Sequence, residues 1–209
     1  MKKIILGLCL VFGVNLYADY LSQGIDEYNF RNYNKAAELF TKACDNGSIA
    51  GCNNLAHIYA TGKGVIHNEA KARDLYTITC NAGDSSACSN LGALYENGVG
   101  GVKQDYNRAT RLYAKSCEAG NLTGCNNLAD AYYRGRGVNR NIRVASEFYD
   151  MTCEKGSIYG CYYLAKMYKK ARGVRNHKHI AKKLYKKGCQ LGHDESCRQY
   201  RRLHEENVN

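Results

Sequence analysis

Residues 36–64 read AAELFTKACDNGSIAGCNNLAHIYATGKG, with Cys44 and Cys52 separated by seven residues. The same Cys-x7-Cys spacing returns at Cys80/Cys88, Cys117/Cys125, Cys153/Cys161 and Cys189/Cys197. Successive pairs begin 36, 37, 36 and 36 residues apart. A period near 36 belongs to a repeat array rather than to a domain with a single core. Evenly paired, regularly spaced cysteines read as a disulfide framework, one bridge per repeat, and such bridges persist outside the reducing cytosol.

The residues around each pair define the repeat. Eight positions before the first cysteine stands alanine in all units: Ala36, Ala72, Ala109, Ala145 and Ala181. Four before it stands Phe40, Tyr76, Tyr113, Tyr149 or Tyr185. These positions, with the leucine column at Leu39, Leu75, Leu112 and Leu184 (Phe148 in the fourth unit), share one face of a helix. Three after the cysteine comes Gly47, Gly83, Gly120, Gly156 or Gly192, which ends that helix. The second cysteine opens another helix, the start of the next pair, with Leu55, Leu91, Leu128 or Leu164 three positions on and Tyr59, Tyr95, Tyr132 or Tyr168 seven on. A Gly-x-Gly-Val turn follows in three units, at Gly62/Gly64, Gly98/Gly100 and Gly135/Gly137, and Gly101 accounts for the single 37-residue period. The fourth unit carries Ala171 in place of the first glycine. Asn68, Asp105 and Asn139 or Asn141 are the expected N-caps of the next helix, and Ser48 and Ser157 also read as caps. The unit is therefore a helix pair, and the fold class is all-α. Closing a nine-residue loop, each bridge contributes roughly 2.5 kcal/mol by chain entropy. Stacking of neighbouring pairs supplies the rest.

Outside the repeats, residues 1–18 have the pattern of a secretory signal: Lys2 and Lys3, an apolar run from Ile4 to Val14, and a cleavage site at Leu16-Tyr17-Ala18. Cleavage after Ala18 removes the odd Cys9 and leaves ten cysteines for five bridges. A lipoprotein reading of Leu6-Gly7-Leu8-Cys9 is weaker, because Leu8 is large. The apolar run is too short to span a bilayer, and no other segment is apolar enough to be transmembrane. The expected location is secreted or periplasmic.

Leu55-Ala56 with Tyr59, the Gly62-Lys63-Gly64-Val65 turn, and Ala72 with Leu75-Tyr76 resemble the Sel-one-like repeat, a relative of the tetratricopeptide repeat. With Cys-x7-Cys added in every unit, the chain resembles the cysteine-rich Helicobacter protein family. The resemblance implies a right-handed α/α solenoid of helix pairs with repeats of about 36 residues. It divides the chain into an N-terminal tetratricopeptide-like capping unit at 19–43, a repeat array at 44–193, and a C-terminal capping helix and tail at 194–209. It also implies β-lactam binding or hydrolysis, an activity for which that family is described.

The residues themselves offer no catalytic constellation. A serine β-lactamase needs Ser-x-x-Lys, and no serine here has lysine three positions later. His177 and His179 diverge if both lie on a helix, and His57, His67, His193 and His204 are scattered. No metal site and no cofactor are expected, and no catalytic residue is named.

A concave groove is the stronger candidate. In tetratricopeptide-like solenoids the first helix of each pair lines it. Two positions after the second cysteine come Asn54, Asn90, Asn127 and Tyr163. Five after it come His57, Ala93, Asp130 and Lys166. Both columns lie away from the Leu/Ala/Tyr face. Carboxamides donate and accept hydrogen bonds and can hold an extended peptide. Asn54, Asn90, Asn127, His57, Asp130 and Tyr163 are therefore the candidate ligand-binding residues, for a peptide or protein ligand, or for a β-lactam or cell-wall fragment.

Charge is polarised along the chain. Residues 19–133 carry 10 Lys+Arg against 12 Asp+Glu, and residues 134–209 carry 18 against 7. The basic end fits an acidic protein or anionic envelope partner; nucleic acid is not expected after export. The competing functions are thus a secreted β-lactam hydrolase and a non-catalytic adaptor.

Overall fold

A computed structural model gives the structure and describes residues 19–170 and 177–206. Residues 1–18, which the sequence suggests as a signal, and Ala171 lie outside the described residues. Within them, all regular secondary structure is helical. Helix α1 occupies 19–29. It is followed by α2 (Tyr33–Asp45), α3 (Ile49–Thr61), α4 (Glu69–Asn81) and α5 (Ser85–Asn97). These lie in a first compact unit ending at Asp105. The second unit, from Tyr106, holds α6 (Tyr106–Glu118), α7 (Leu122–Arg134), α8 (Ile142–Glu154), α9 (Ile158–Lys169), α10 (Lys178–Gln190) and α11 (Asp194–Glu205). From α2 to α5, and again from α6 to α11, each helix packs on its sequence neighbour.

The pairing of cysteines is as the spacing predicts. Cys44–Cys52, Cys80–Cys88, Cys117–Cys125, Cys153–Cys161 and Cys189–Cys197 are all bonded internally. Each bridge joins the last turn of one helix to the first turn of the next. The second cysteine does not itself begin a helix. Helix α3 starts three residues earlier, at Ile49, because Ser48 is the N-cap and its hydroxyl accepts from Gly51 N–H at 3.1 Å. Ser157 does the same for α9, and Asn68 and Asn141 cap α4 and α8.

The glycine after each first cysteine completes the helix end. Gly47 has φ +89°, and Ser48 N–H donates to Ala43 O at 2.9 Å, closing the last turn on itself. The other critical glycine is in the long turn. Gly137 has φ +68°, and a Cβ there would run into the carbonyl of Tyr106 at the start of α6. The turn is thereby seated on the helix before it.

The buried columns are those of the periodicity. Ala36, Ala72, Ala145 and Ala181 are fully buried, and Phe40, Tyr76, Tyr113, Tyr149 and Tyr185 are at most 2% exposed. Small residues bring the helices together beside the bridges: Gly51 lies against Ala43, and Gly160 against Thr152. The fold thus fixes the helix faces and leaves the edges of α3, α7 and α9 open.

Candidate functional site

Among the described residues, a pocket of about 280 Å³ lies in each unit. In the first unit the walls are Ile25 and Tyr28 from α1, Phe40 from α2, and Asn54 and His57 from α3. In the second unit they are Asp130, Tyr133 and Arg134 from α7, with Tyr149 from α8. Helix α9 adds Tyr163, Lys166 and Met167, and its C-cap adds Lys170.

Both pockets use the same repeat positions. Phe40 and Tyr149 each stand four before a first cysteine; Asn54 and Tyr163 stand two after a second cysteine, and His57 and Lys166 five after. Helix α1 has no cysteine, but its packing gives the register. Gly24 lies against the Phe40 ring, and Ala129 shares a buried cluster with Tyr149. Ile25 therefore corresponds to Asp130, and Tyr28 to Tyr133. A pocket forms where two first helices splay over the aromatic of the second helix between them.

The first-unit pocket is neutral. Burial, and then the charge of Lys63, hold the His57 imidazole below its ordinary pKa. Tyr28 lies 6.2 Å from the His57 ring. Lys63 is not part of the lining: its Nζ donates to Tyr28 Oη at 3.0 Å and lies over the Tyr28 and Tyr33 rings.

The second-unit pocket is charged. Arg134 Nε is 2.7 Å from Asp130 Oδ2 on the same helix face, and that contact raises the Arg134 pKa. The Tyr149 and Tyr163 rings stack with centroids 5.4 Å apart. Lys166 Nζ lies 5.4 Å from the centroids of both Tyr162 and Tyr163. Burial pushes the Tyr149 phenol far above its ordinary pKa, so it stays protonated.

Of the candidate residues, Asn54 and His57 meet in one pocket, and Asp130 and Tyr163 in the other. Asn90 and Asn127 line neither. Asn90 is hydrogen-bonded to the Tyr76 hydroxyl, and Asn127 also has a partner. A buried tyrosine hydroxyl needs such a partner. Phe40, at the same position as Tyr76, has no hydroxyl, so Asn54 keeps its amide for the pocket. Sequence reasoning missed Ile25, Tyr28, Phe40, Tyr133, Arg134, Tyr149 and Lys170. The signal that could have found them is the recurrence of the same offsets around each inter-repeat gap.

His177 is the N-cap of α10, not a helical residue, so the divergence expected for His177 and His179 does not hold. Their rings are 5.4 Å apart. Among the described residues, no group of three or more His, Cys, Asp and Glu could hold a metal. No helix there is long and apolar enough to cross a membrane.

The Sel1 repeat pattern matches residues 6–48, 49–84, 85–121, 123–157 and 158–193, which is most of the chain. The chain belongs to the Sel1 repeat family. Sel1 repeat proteins of known structure share its fold. A Sel1 repeat protein from Oxalobacter formigenes superposes with a TM-score of 0.79 at 22% identity, over 92% of this chain and 87% of that one. A protective antigen of uropathogenic Escherichia coli with an SLR fold gives 0.77 at 26% identity, over 92% of this chain and 42% of that one. The chain thus spans less than half the length of that antigen. Helicobacter pylori cysteine rich protein B gives 0.50 at 24% identity, over 63% of this chain and 93% of that one. No curated protein sequence matches the chain. The disulfide-rich Sel1 architecture fits an oxidising extracellular or periplasmic environment.

Proposed function

We propose that this Sel1 repeat protein is an exported, non-catalytic binding module that holds a peptide segment of a partner protein in the pockets between its repeats. The observation that carries this reading is the recurrence of one pocket on the same repeat positions in both units. A catalytic site is a single constellation. A pocket of side-chain size that recurs with varied walls suits a side chain of a peptide ligand in each unit.

The chemistry of the walls supports binding over hydrolysis. The second-unit pocket has no serine, threonine or thiol in its lining. Its hydroxyls are tyrosines, and the buried Tyr149 is held protonated. Asp130 is committed to Arg134. All ten cysteines of the described residues are in disulfides. None of these groups is an activated nucleophile beside a base.

The test uses the oxidised protein, a library of acetylated and amidated octapeptides, and nitrocefin. We expect peptide binding that falls at least about tenfold in Tyr163→Ala, because the ring is a main pocket wall. Nitrocefin turnover should equal that of a mock preparation. Turnover that co-purifies with the protein and falls in Tyr163→Ala would replace this reading with the hydrolase.

A further inference from the structure

The two pockets share a frame and differ in charge, and the difference selects a ligand. In the first, Ile25, Phe40, Asn54 and a neutral-leaning His57 present no charge. In the second, the same positions carry Asp130, Tyr149, Tyr163 and Lys166, with Arg134 and Lys170 added from the next turn of each helix. Three cations therefore face one anion. Asp130 is already spent, since both its oxygens lie within 2.8 Å of Arg134 Nε.

That leaves Lys166 and Lys170. They are four residues apart, Lys166 in the last turn of α9 and Lys170 at its C-cap, and both line the pocket. Neither has a carboxylate within 4.0 Å among the described residues. Lys166 is half-buried, and its ammonium is held over the Tyr162 and Tyr163 rings. A lysine fixed on aromatic faces at a pocket edge has lost much of its rotamer freedom before any ligand arrives. It has no acidic partner of its own to displace.

Resting on the binding reading above, we infer that the second-unit pocket takes a carboxylate of the bound peptide, received by Lys166 and Lys170 above the Tyr163 ring. The stacked Tyr149 and Tyr163 rings hold the aliphatic part of the acidic side chain. The ammonium groups make charge-assisted hydrogen bonds to its oxygens. Asp130 holds Arg134 against α7, so the approaching anion meets the two lysines rather than the guanidinium. The carboxylate comes either from a Glu or Asp side chain or from a free chain terminus.

The probe is a positional library of octapeptides, acetylated at the N-terminus, in which one position is fixed as Glu or as its neutral isostere Gln. Fluorescence anisotropy reads binding to the oxidised full chain. With amidated C-termini, the Glu pools should bind about tenfold tighter than the Gln pools at one position. The preference should weaken as salt rises. In Lys166→Met/Lys170→Met the ratio of Glu-pool to Gln-pool affinity should fall to about one, whatever the affinity of the Gln pools. Lys166→Arg/Lys170→Arg should keep the preference, which separates charge from packing. Matching melting curves confirm that both variants fold. If only peptides with a free C-terminal acid show the gain, the carboxylate is terminal. Equal binding of Glu and Gln pools, still lost in Tyr163→Ala, overturns the carboxylate and leaves the binding module intact. Failure of every pool to bind overturns both.

Discussion

The first and second units build the same pocket with opposite chemistry. Ile25, Phe40, Asn54 and His57 on one side answer to Asp130, Tyr149, Tyr163 and Lys166 on the other. The surrounding scaffold barely changes. Ala36 and Ala145 are both fully buried, Phe40 and Tyr149 are both 2% exposed, and each unit carries its internal Cys-x7-Cys bridges. Apart from Phe40 and Tyr149, what varies lies along α1, α3, α7 and α9, at positions that are not fully buried. The lesson is a separation of duties: buried positions set the spacing of the helices, and edge positions choose what enters between them.

The sharpest way to break that comparison is to attack the scaffold in both units at once. Gly64 has φ +71° and sits on the start of α2, where a Cβ would strike the Tyr33 backbone. Gly137 has φ +68° and does the same to Tyr106 at the start of α6. Alanine at either position adds left-handed strain to a backbone clash, a loss of about 3 kcal/mol. Gly47 and Gly120 also have positive φ, but nothing lies within 4 Å of their Cβ positions. Alanine there should cost only about 1 kcal/mol. Urea denaturation of the four variants checks this. Unequal losses for Gly64→Ala and Gly137→Ala would mean that the two scaffolds are not equivalent.

A smaller contrast lies one position after the second cysteine of a pair. In the second unit Asn126 Nδ2 donates to Ser157 Oγ at 2.8 Å, and the Thr152 hydroxyl donates to Asn126 Oδ1 at 2.7 Å. One amide thus ties α7 to α8 and to the cap of α9. In the first unit Asn53 stands at the same offset, and its Oδ1 is buried without a partner. Asn126→Ala should cost about 2 kcal/mol, because it removes two hydrogen bonds between helices, one of them to the buried Thr152 hydroxyl. Asn53→Ala should change stability by no more than about 0.5 kcal/mol. Equal losses, read from the same denaturation curves, would show that Asn53 does equivalent work in the first unit.

The sequence carried the fold plainly because buried positions tolerate few side chains. The alanine column before each first cysteine, the glycine after it and the Leu-x3-Tyr face repeat so regularly that helices, bridges and turns follow from their offsets. The pockets were only half legible. Asn54, His57, Asp130 and Tyr163 were visible as groove columns. Phe40 and Tyr149 were read as core fillers, which they also are: one edge packs inward while another part lines a pocket. Tyr133 and Arg134 sit on the last helical turn, where the eye is on the glycine that follows. A uniform asparagine ladder does not line the pockets, because Asn90 is drawn to the Tyr76 hydroxyl while Phe40 makes no such demand on Asn54. That dependence links two positions fourteen residues apart and appears in neither column alone.

The smallest expected effect tests whether the first pocket is neutral in practice. Burial, reinforced by Lys63, lowers the folded-state pKa of His57 from 6.5. The unfolded chain therefore binds a proton at this imidazole more readily than the folded one. Above about pH 6.5 the ring is neutral in both states and costs nothing. As pH falls through that value the unfolded state takes up its proton first, and stability declines until the folded ring is protonated too. The ring has an exposed edge, so solvent screens much of the penalty and the slope is shallow. Melting curves at pH 7.5 and 5.5 should show a slightly larger loss for the native chain than for His57→Gln, whose amide does not titrate. Lys63→Met should reduce the loss by a lesser amount, since its charge is the smaller of the two causes. If His57→Gln follows the native curve, the packing around the imidazole does not disfavour charge, and the first pocket would accept a cationic ring at low pH. Its contrast with the lysine-lined pocket of the second unit would then rest on shape and on Asn54 alone.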